Sequence, residues 1–322
     1  MSYRERVLKR VGFAILSIYL VMTVAFMFVA LTPDPNLGVV AYGAREAGTD
    51  DADTNEALAT YKEAHNLDDP VHERYLRWLV DVSTLDWGRS FAKKAPVTDI
   101  LARAIPATLG YVVPGIMLAT LPGILLGVAT AIGDSGVTER LANLTAYVGL
   151  GLPNFWLAAV LPVLVADYAG WLQAVLQPHP FAVGGVPFTI RPMPALVLAT
   201  TLFASWVRYA RAESSEYVNA EFVKTLRSKG AGSRALGRHV LRNAALPLVT
   251  LFATDLVSVL VLHVYVLEHV FWIPGVGKMG YLAVQQRDMP LIVGTTMVIA
   301  IAGILVTTLQ DLLEPFLDPR IE

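Results

Sequence analysis

The 322-residue chain contains no cysteine. That removes disulfides, zinc–thiolate and iron–sulfur sites and thiol nucleophiles, and it leaves the redox compartment unspecified. Charge is scarce as well: 16% of residues are charged against 55% hydrophobic, too apolar for an ordinary soluble domain. The net charge of −2 says little about partners, because the charges are segregated by segment. No His-Glu-x-x-His pair and no Gly-x-Ser-x-Gly elbow occurs, so nothing marks a metal centre or a serine nucleophile. Gly275-Val276-Gly277-Lys278-Met279 imitates a phosphate loop, which would need glycine in place of Trp272 and Ser or Thr in place of Met279. No covalent chemistry is expected of this chain, and no metal, nucleotide, other cofactor or nucleic acid is expected to bind it.

What the chain has in abundance is apolar runs of about 20 residues, the length that crosses a bilayer core. Such runs occupy 11–31, 105–132, 141–166, 195–207 with its continuation, 246–270 and 290–316. Arg4, Arg6, Lys9 and Arg10 precede the first run, which is longer than a signal-peptide core and lacks a small-residue cleavage site. A retained first span entering from the cytoplasm follows. The expected fold is an all-α membrane protein of about six transmembrane helices, multi-pass in the cell membrane, with both ends cytoplasmic. Its parts are a basic tail and first helix (1–33), an external segment (34–104), a five-helix unit (105–317) and a short tail (318–322).

The external segment changes character along its length. Ten acidic residues lie between 34 and 73, with a Gly/Asp/Thr-rich middle that reads as a flexible excursion. It is expected either to meet an extracytoplasmic protein or to be a solvated surface suited to high salt. Residues 71–82 read as an amphipathic helix with Val71, Tyr75, Leu76, Leu79 and Val82 on one side, started by Asp69-Pro70. Trp78 and Trp87 suit either a membrane interface or packing within this segment. In the second span Gly123 and Gly127 form a small-xxx-small face for close helix approach.

One polar stretch, 219–247, interrupts the apolar pattern. Arg208, Arg211, Lys224, Arg227, Lys229, Arg234, Arg238 and Arg242 stand against Glu213, Glu216 and Glu221, a balance of +5 over 208–242. Residues 220–229 read as a short helix closed by Gly230. Phe222, Val223 and Leu226 share one side, while Lys224, Arg227 and Lys229 spread around the rest. A helix this short is marginal alone. Burying its three apolar side chains, worth roughly 1.5–3 kcal/mol each, would hold it against a partner.

Glu221-Phe222-Val223-Lys224-Thr225-Leu226-Arg227-Ser228-Lys229-Gly230, followed by Arg238-His239-Val240-Leu241-Arg242-Asn243-Ala244-Ala245-Leu246-Pro247, resembles the cytoplasmic loop of ATP-binding-cassette importer permeases of the dipeptide, oligopeptide and nickel group. Further matches follow in order: Leu85-Asp86-Trp87-Gly88-Arg89-Ser90-Phe91, Arg103-Ala104-Ile105-Pro106-Ala107-Thr108-Leu109, Leu152-Pro153-Asn154-Phe155-Trp156, Glu268-His269-Val270-Phe271-Trp272-Ile273-Pro274-Gly275-Val276-Gly277 and Leu317-Asp318-Pro319-Arg320-Ile321. The resemblance implies a type I importer permease fold whose 208–244 loop carries a coupling helix. Glu221, Phe222, Val223, Lys224, Thr225, Leu226, Arg227, Ser228, Lys229 and Gly230 would be the residues held by an ATPase. The partners it implies are a second permease subunit, two ATPase subunits carrying ATP and Mg, an extracytoplasmic solute-binding protein and the bilayer. The cargo would be peptides, or else nickel, glutathione or oligosaccharide. The chain itself would not be an enzyme.

Three ionisable residues fall in the fifth run: Asp255, His263 and Glu268. A charge at mid-bilayer costs about 2.5–3.5 kcal/mol on insertion scales, so such groups face protein or water. Asp255, nearest mid-span, is a candidate pathway carboxylate or a hydrogen-bond partner for a neighbouring helix or a partner subunit. Related permeases often carry a neutral amide there, so no role is carried over from the family. His263 and Glu268 are expected nearer the external end, where solvation is easier. An ATP-independent carrier would show inverted repeats with broken helices, and no internal repeat stands out. A membrane sensor finds no support in the proline-bearing spans.

Overall fold

In the computed structural model, residues 3–32, 35–46, 51–64, 66–133, 151–183 and 186–317 are described, with isolated positions between 136 and 149. The first half of the third expected span and the 318–322 tail fall largely outside them. The helices are α1 (Tyr3–Leu31), α2 (Pro35–Glu46), α3 (Asp51–Ala64), α4 (Val71–Ser83), α5 (Val97–Ile132), α6 (Asn154–Tyr168), α7 (Gly170–Leu176), α8 (Pro192–Val218), α9 (Glu221–Ser228), α10 (Ser233–Ser258), α11 (Val264–Val270), α12 (Val276–Gln285) and α13 (Met289–Leu317). A π turn, Val259–His263, joins α10 to α11. Four helical stretches are long and apolar enough to cross a membrane: Arg4–Leu31, Val97–Ile132, Ser233–Val270 and Met289–Phe316. The chain is a multi-pass membrane protein.

Two expectations are corrected. The acidic stretch, whose Gly/Asp/Thr-rich middle reads as a flexible excursion, is helical on both sides of that middle, in α2 and α3, with 47–50 outside the described residues and a turn at 66–70. The all-α expectation misses a hairpin, β1 (His179–Val183) and β2 (Val186–Ile190), paired antiparallel with Phe181 opposite Phe188. Their rings stack at 5.7 Å. Alternation in a Pro-rich connector is too short a signal to separate this hairpin from a loop. Helix α4 forms as expected, but its packed side is Tyr75, Trp78, Leu79 and Val82, while Val71 and Leu76 are exposed. Tyr75 and Trp78 close on Phe26 of α1 at 5.3 and 5.4 Å, so Trp78 is a packing residue.

The centre of the bundle is the pair α5 and α8, which run parallel and touch backbone to backbone. Gly110 lies on the Thr189 carbonyl, Gly115 on Ala195 and Leu198, Gly123 on Phe203 and Trp206, and Gly127 on Val207 and Ala210. The Gly123 and Gly127 face thus packs as the sequence predicts, with Trp206 fully buried against it. A Cβ on Gly127 would stand 2.6 Å from the Ala210 Cβ and 2.7 Å from the Val207 oxygen. Gly127→Val is therefore expected to cost about 1–3 kcal/mol of overpacking. Thermal unfolding of the purified protein checks this, and an unchanged melting point would refute the seam.

Helix directions follow from the remaining contacts. Arg10 pairs with Asp311 at 2.6 Å, while Met22 packs with Met297, so α1 and α13 are antiparallel. Gln310 reaches Thr250 at 3.4 Å and Gly303 faces Val257, so α10 and α13 are antiparallel as well. Gly294 rests on Val97 and Leu101, which makes α5 parallel to α13. The start of α1 and the ends of α5, α8 and α13 therefore share one face of the bundle.

Candidate coupling surface and buried carboxylates

Helix α9 sits on that face, between the end of α8 and the start of α10. Its termination is local chemistry. Gly230 takes φ +77°, its N–H donates to the Arg227 oxygen (3.0 Å), and the Ala231 N–H donates to the Leu226 oxygen (3.0 Å). This is the Schellman pattern, which satisfies the last carbonyls and needs a residue at ease in the left-handed region. The apolar side, read from sequence as a partner surface, turns largely inward. Val223 is 1% exposed, packed with Leu236 and Val240 of α10, with Ile132 of α5 alongside. Phe222 and Leu226 are half-buried at its edges. The outward side is polar: Glu221, Lys224, Thr225, Arg227, Ser228, Lys229 and Gly230 are all exposed. The chain thus provides its own bed for the helix and offers a mostly charged surface to anything below it.

The three ionisable residues of the α10–α11 span part company. Asp255 is half-buried, and its Oδ2 is enclosed without a hydrogen-bond partner among the described residues. Among the described residues no neighbouring helix bonds that oxygen, which leaves it free for a partner subunit as well. The π turn inserts one residue into the 3.6-residue repeat. Asp255 and His263, eight apart, therefore take the i, i+7 relation and share a stripe of the helix.

Glu268 overturns the expectation of easy solvation. It is fully buried, because the 271–275 loop folds back over it. Its Oε1 accepts from the hydroxyls of Thr108 (2.6 Å) and Tyr111 (3.4 Å) on α5, and its Oε2 accepts from the Lys278 N–H (2.9 Å). The Val276 N–H donates to Thr108 Oγ1 at 2.9 Å. The first turn of α12 is thereby capped by side chains from two other helices. Helix N-termini attract anions through exposed N–H groups and their dipole; here the anion is the chain's own carboxylate. That explains the glycine spacing that imitates a phosphate loop. A Cβ on Gly275 would stand 2.2–2.5 Å from the Glu268 carboxyl atoms, and one on Gly277 would stand 2.7 Å from the Tyr265 nitrogen.

A second buried carboxylate, Asp288, was not singled out from sequence. Its Oδ2 accepts from Ser90 Oγ (2.5 Å) and the Ala92 N–H (3.1 Å), and its Oδ1 from the Leu291 N–H (3.4 Å). It caps α13 and ties the 85–96 turn to it. Asp288-Met289-Pro290 before an apolar run carries the N-cap signal that could have found it. Among the described residues no group of three or more His, Cys, Asp or Glu is placed to hold a metal ion.

Comparison with known proteins bears on this arrangement. Residues 123–322 match the family described as binding-protein-dependent transport system inner membrane component. A dipeptide transport system permease protein of Bacillus subtilis is 33% identical, covering 84% of this chain and 85% of its own length. An oligopeptide transport system permease protein of the same organism is 32% identical over 81% and 83%. A metal-staphylopine import system permease protein of Staphylococcus aureus is 27% identical over 98% and 97%. Long apolar helices, a capped basic helix at one face and these likenesses converge: the chain is a transport permease belonging to the binding-protein-dependent inner membrane component family of ATP-binding-cassette importers.

Proposed function

We propose that this chain lines the translocation pathway of a peptide importer and passes ATP-driven closure to it through α9. The observation that carries the reading is the helix itself: closed at its C-terminus by Gly230, bedded on α10 and α5, and exposing Lys224 and Arg227 on the face shared by the start of α1 and the end of α13. Two ATPase subunits, holding ATP and Mg, would grip that face. A second permease subunit completes the pathway, and an extracytoplasmic binding protein delivers cargo from the opposite side. Closure of the ATPases moves a packed, two-state interface as a rigid body. Six crossings with both ends cytoplasmic follow if α6 and α8 complete the set. Support comes from the alternating directions and from Thr201 donating to Asn154 Oδ1 at 2.5 Å, which joins α6 to α8. Asp255, with an oxygen still open for a donor, is the pathway carboxylate of this reading.

Peptides are the cargo because the dipeptide and oligopeptide permeases are the relatives at 32–33% identity. The test is ATP-dependent uptake into proteoliposomes holding the assembled transporter and its binding protein, with a labelled dipeptide and a metal chelate as competing cargo. ATP-dependent accumulation of the peptide is expected. Uptake that proceeds without ATP, or purification of the intact chain with no ATPase attached, would refute the coupling role. Accumulation of the chelate alone would refute the cargo.

A further inference from the structure

At the end of the bundle opposite α9, a cavity of about 430 Å³ opens between the first turns of α5 and the loop leading into α12. Its lining joins the exposed Lys93, Arg103 and Pro274 at the rim to the buried Ile100, Ala104 and Met279 beneath. Among the described residues no carboxylate lines it. Neither rim cation forms an ion pair among the described residues; Arg103 Nε donates to the Asp99 carbonyl within its own helix (3.1 Å). Lys278 adds a third positive charge nearby, its ammonium lying 4.1 Å from the centre of the Trp272 ring. Partial burial lowers the Lys278 pKa below the ordinary lysine value; Glu268 opposes that shift and the like charge of Lys93 adds to it. Of the carboxylates near this end, Glu268 is committed to α12 and Asp288 to the 85–96 turn, while Asp99 stands one turn before Arg103 on α5 without forming an ion pair with it.

We propose that this cavity is a binding site for the phosphate of an anionic phospholipid in the leaflet opposite the coupling helix. Two rim cations without an ion pair among the described residues, with Lys278 close to Lys93, call for an anion in the cavity. Its depth along the molecule selects which anion: the site lies at the start of the Val97–Ile132 span and just beyond the end of the Ser233–Val270 span. That is headgroup level, where Trp, Lys and Arg side chains anchor spans at the interface. The apolar floor suits the glycerol and first acyl carbons of a lipid, and a free phosphate would gain nothing from it. Trp272 is 76% exposed and holds φ +55°, an uncommon conformation for a bulky residue. It thereby stands out from the surface two residues before Pro274, its ring beneath the Lys278 ammonium. The site depends on membrane embedding alone and is independent of cargo and of coupling.

The assembled transporter, reconstituted in nanodiscs of phosphatidylglycerol or of phosphatidylcholine, provides the test, read by native mass spectrometry of retained lipid. Wild type is expected to retain phosphatidylglycerol in preference to phosphatidylcholine, and Lys93→Gln with Arg103→Gln to weaken that retention about tenfold. The charge-preserving pair Lys93→Arg and Arg103→Lys is expected to keep it, which separates lost charge from misfolding. Equal retention of the two lipids by wild type, or unchanged preference in the glutamine pair, overturns the proposal. Displacement of the lipid by millimolar inorganic phosphate would mean a free-anion site and also overturns it. Loss of activation by the binding protein in the glutamine pair, with lipid retention intact, would assign the cations to an acidic protein partner instead.

Discussion

Replacing Val223 by Asp is expected to reduce cargo-stimulated ATP hydrolysis to its basal level while leaving membrane insertion intact. Val223 is the one fully enclosed residue of α9, packed with Leu236 and Val240. A carboxylate there would be buried without a partner, a change that costs several kcal/mol. A helix this short has no reserve of its own against such a loss, because isolated helices below about 12–15 residues are marginal in water. It would leave its bed and stop transmitting motion. The spans do not rest on it, so the assembled membrane part should remain. Gly230→Val is a graded companion. A Cβ at this position meets nothing within 4 Å, so only the φ +77° backbone resists. That resistance is about 1–2 kcal/mol, roughly a 5- to 30-fold shift away from the capped form. Hydrolysis stimulated normally in both variants would remove α9 from the mechanism.

The second large effect is expected at Glu268. Changing it to Leu leaves the Lys278 N–H and the hydroxyls of Thr108 and Tyr111 without their acceptor, in a site with no solvent. Each orphaned buried donor costs about 1–3 kcal/mol. The loss should appear as a sharply lower melting temperature of the purified complex and as release of α12 from α5. Gly275→Ala should act in the same direction by a different route, since its Cβ would collide with the carboxylate. Hydrogen exchange at the first turn of α12 separates local release from global unfolding. Protection at Val276–Lys278 equal to wild type in Glu268→Leu would sink the cap.

Much of this molecule could be read from its sequence, and the limits have physical causes. The spans announce themselves because apolar runs of bilayer length have few other uses. Gly123 and Gly127 announced a close helix contact, and Gly230 announced the end of α9, since each answers a local demand that other residues meet poorly. Glu268 was misjudged. Position along a run indicates depth in a membrane, but it says nothing of a later loop folding back to cover the residue. Asp288 and the 271–277 loop belong to the same class: their partners, Ser90 and Thr108, lie more than 150 residues away in the chain. Helical periodicity set the face of α9 correctly but could not say whether that face meets a partner or the chain itself. The Gly/Asp/Thr-rich middle of 34–73 reads as a flexible excursion from composition, yet the acidic and small residues on either side of 47–50 are compatible with the surface helices α2 and α3.

The glycine seam between α5 and α8 bears on how such a permease can change shape. Where main chains rest directly on one another there are no rotamers to rearrange, and any sliding would drive a carbonyl oxygen into a neighbouring Cα. The two rods must travel together, like planks glued along an edge. Whatever gap opens and shuts for cargo has to form where longer side chains interdigitate, along the margins facing α10 and α13, because only those joints have a second arrangement to adopt.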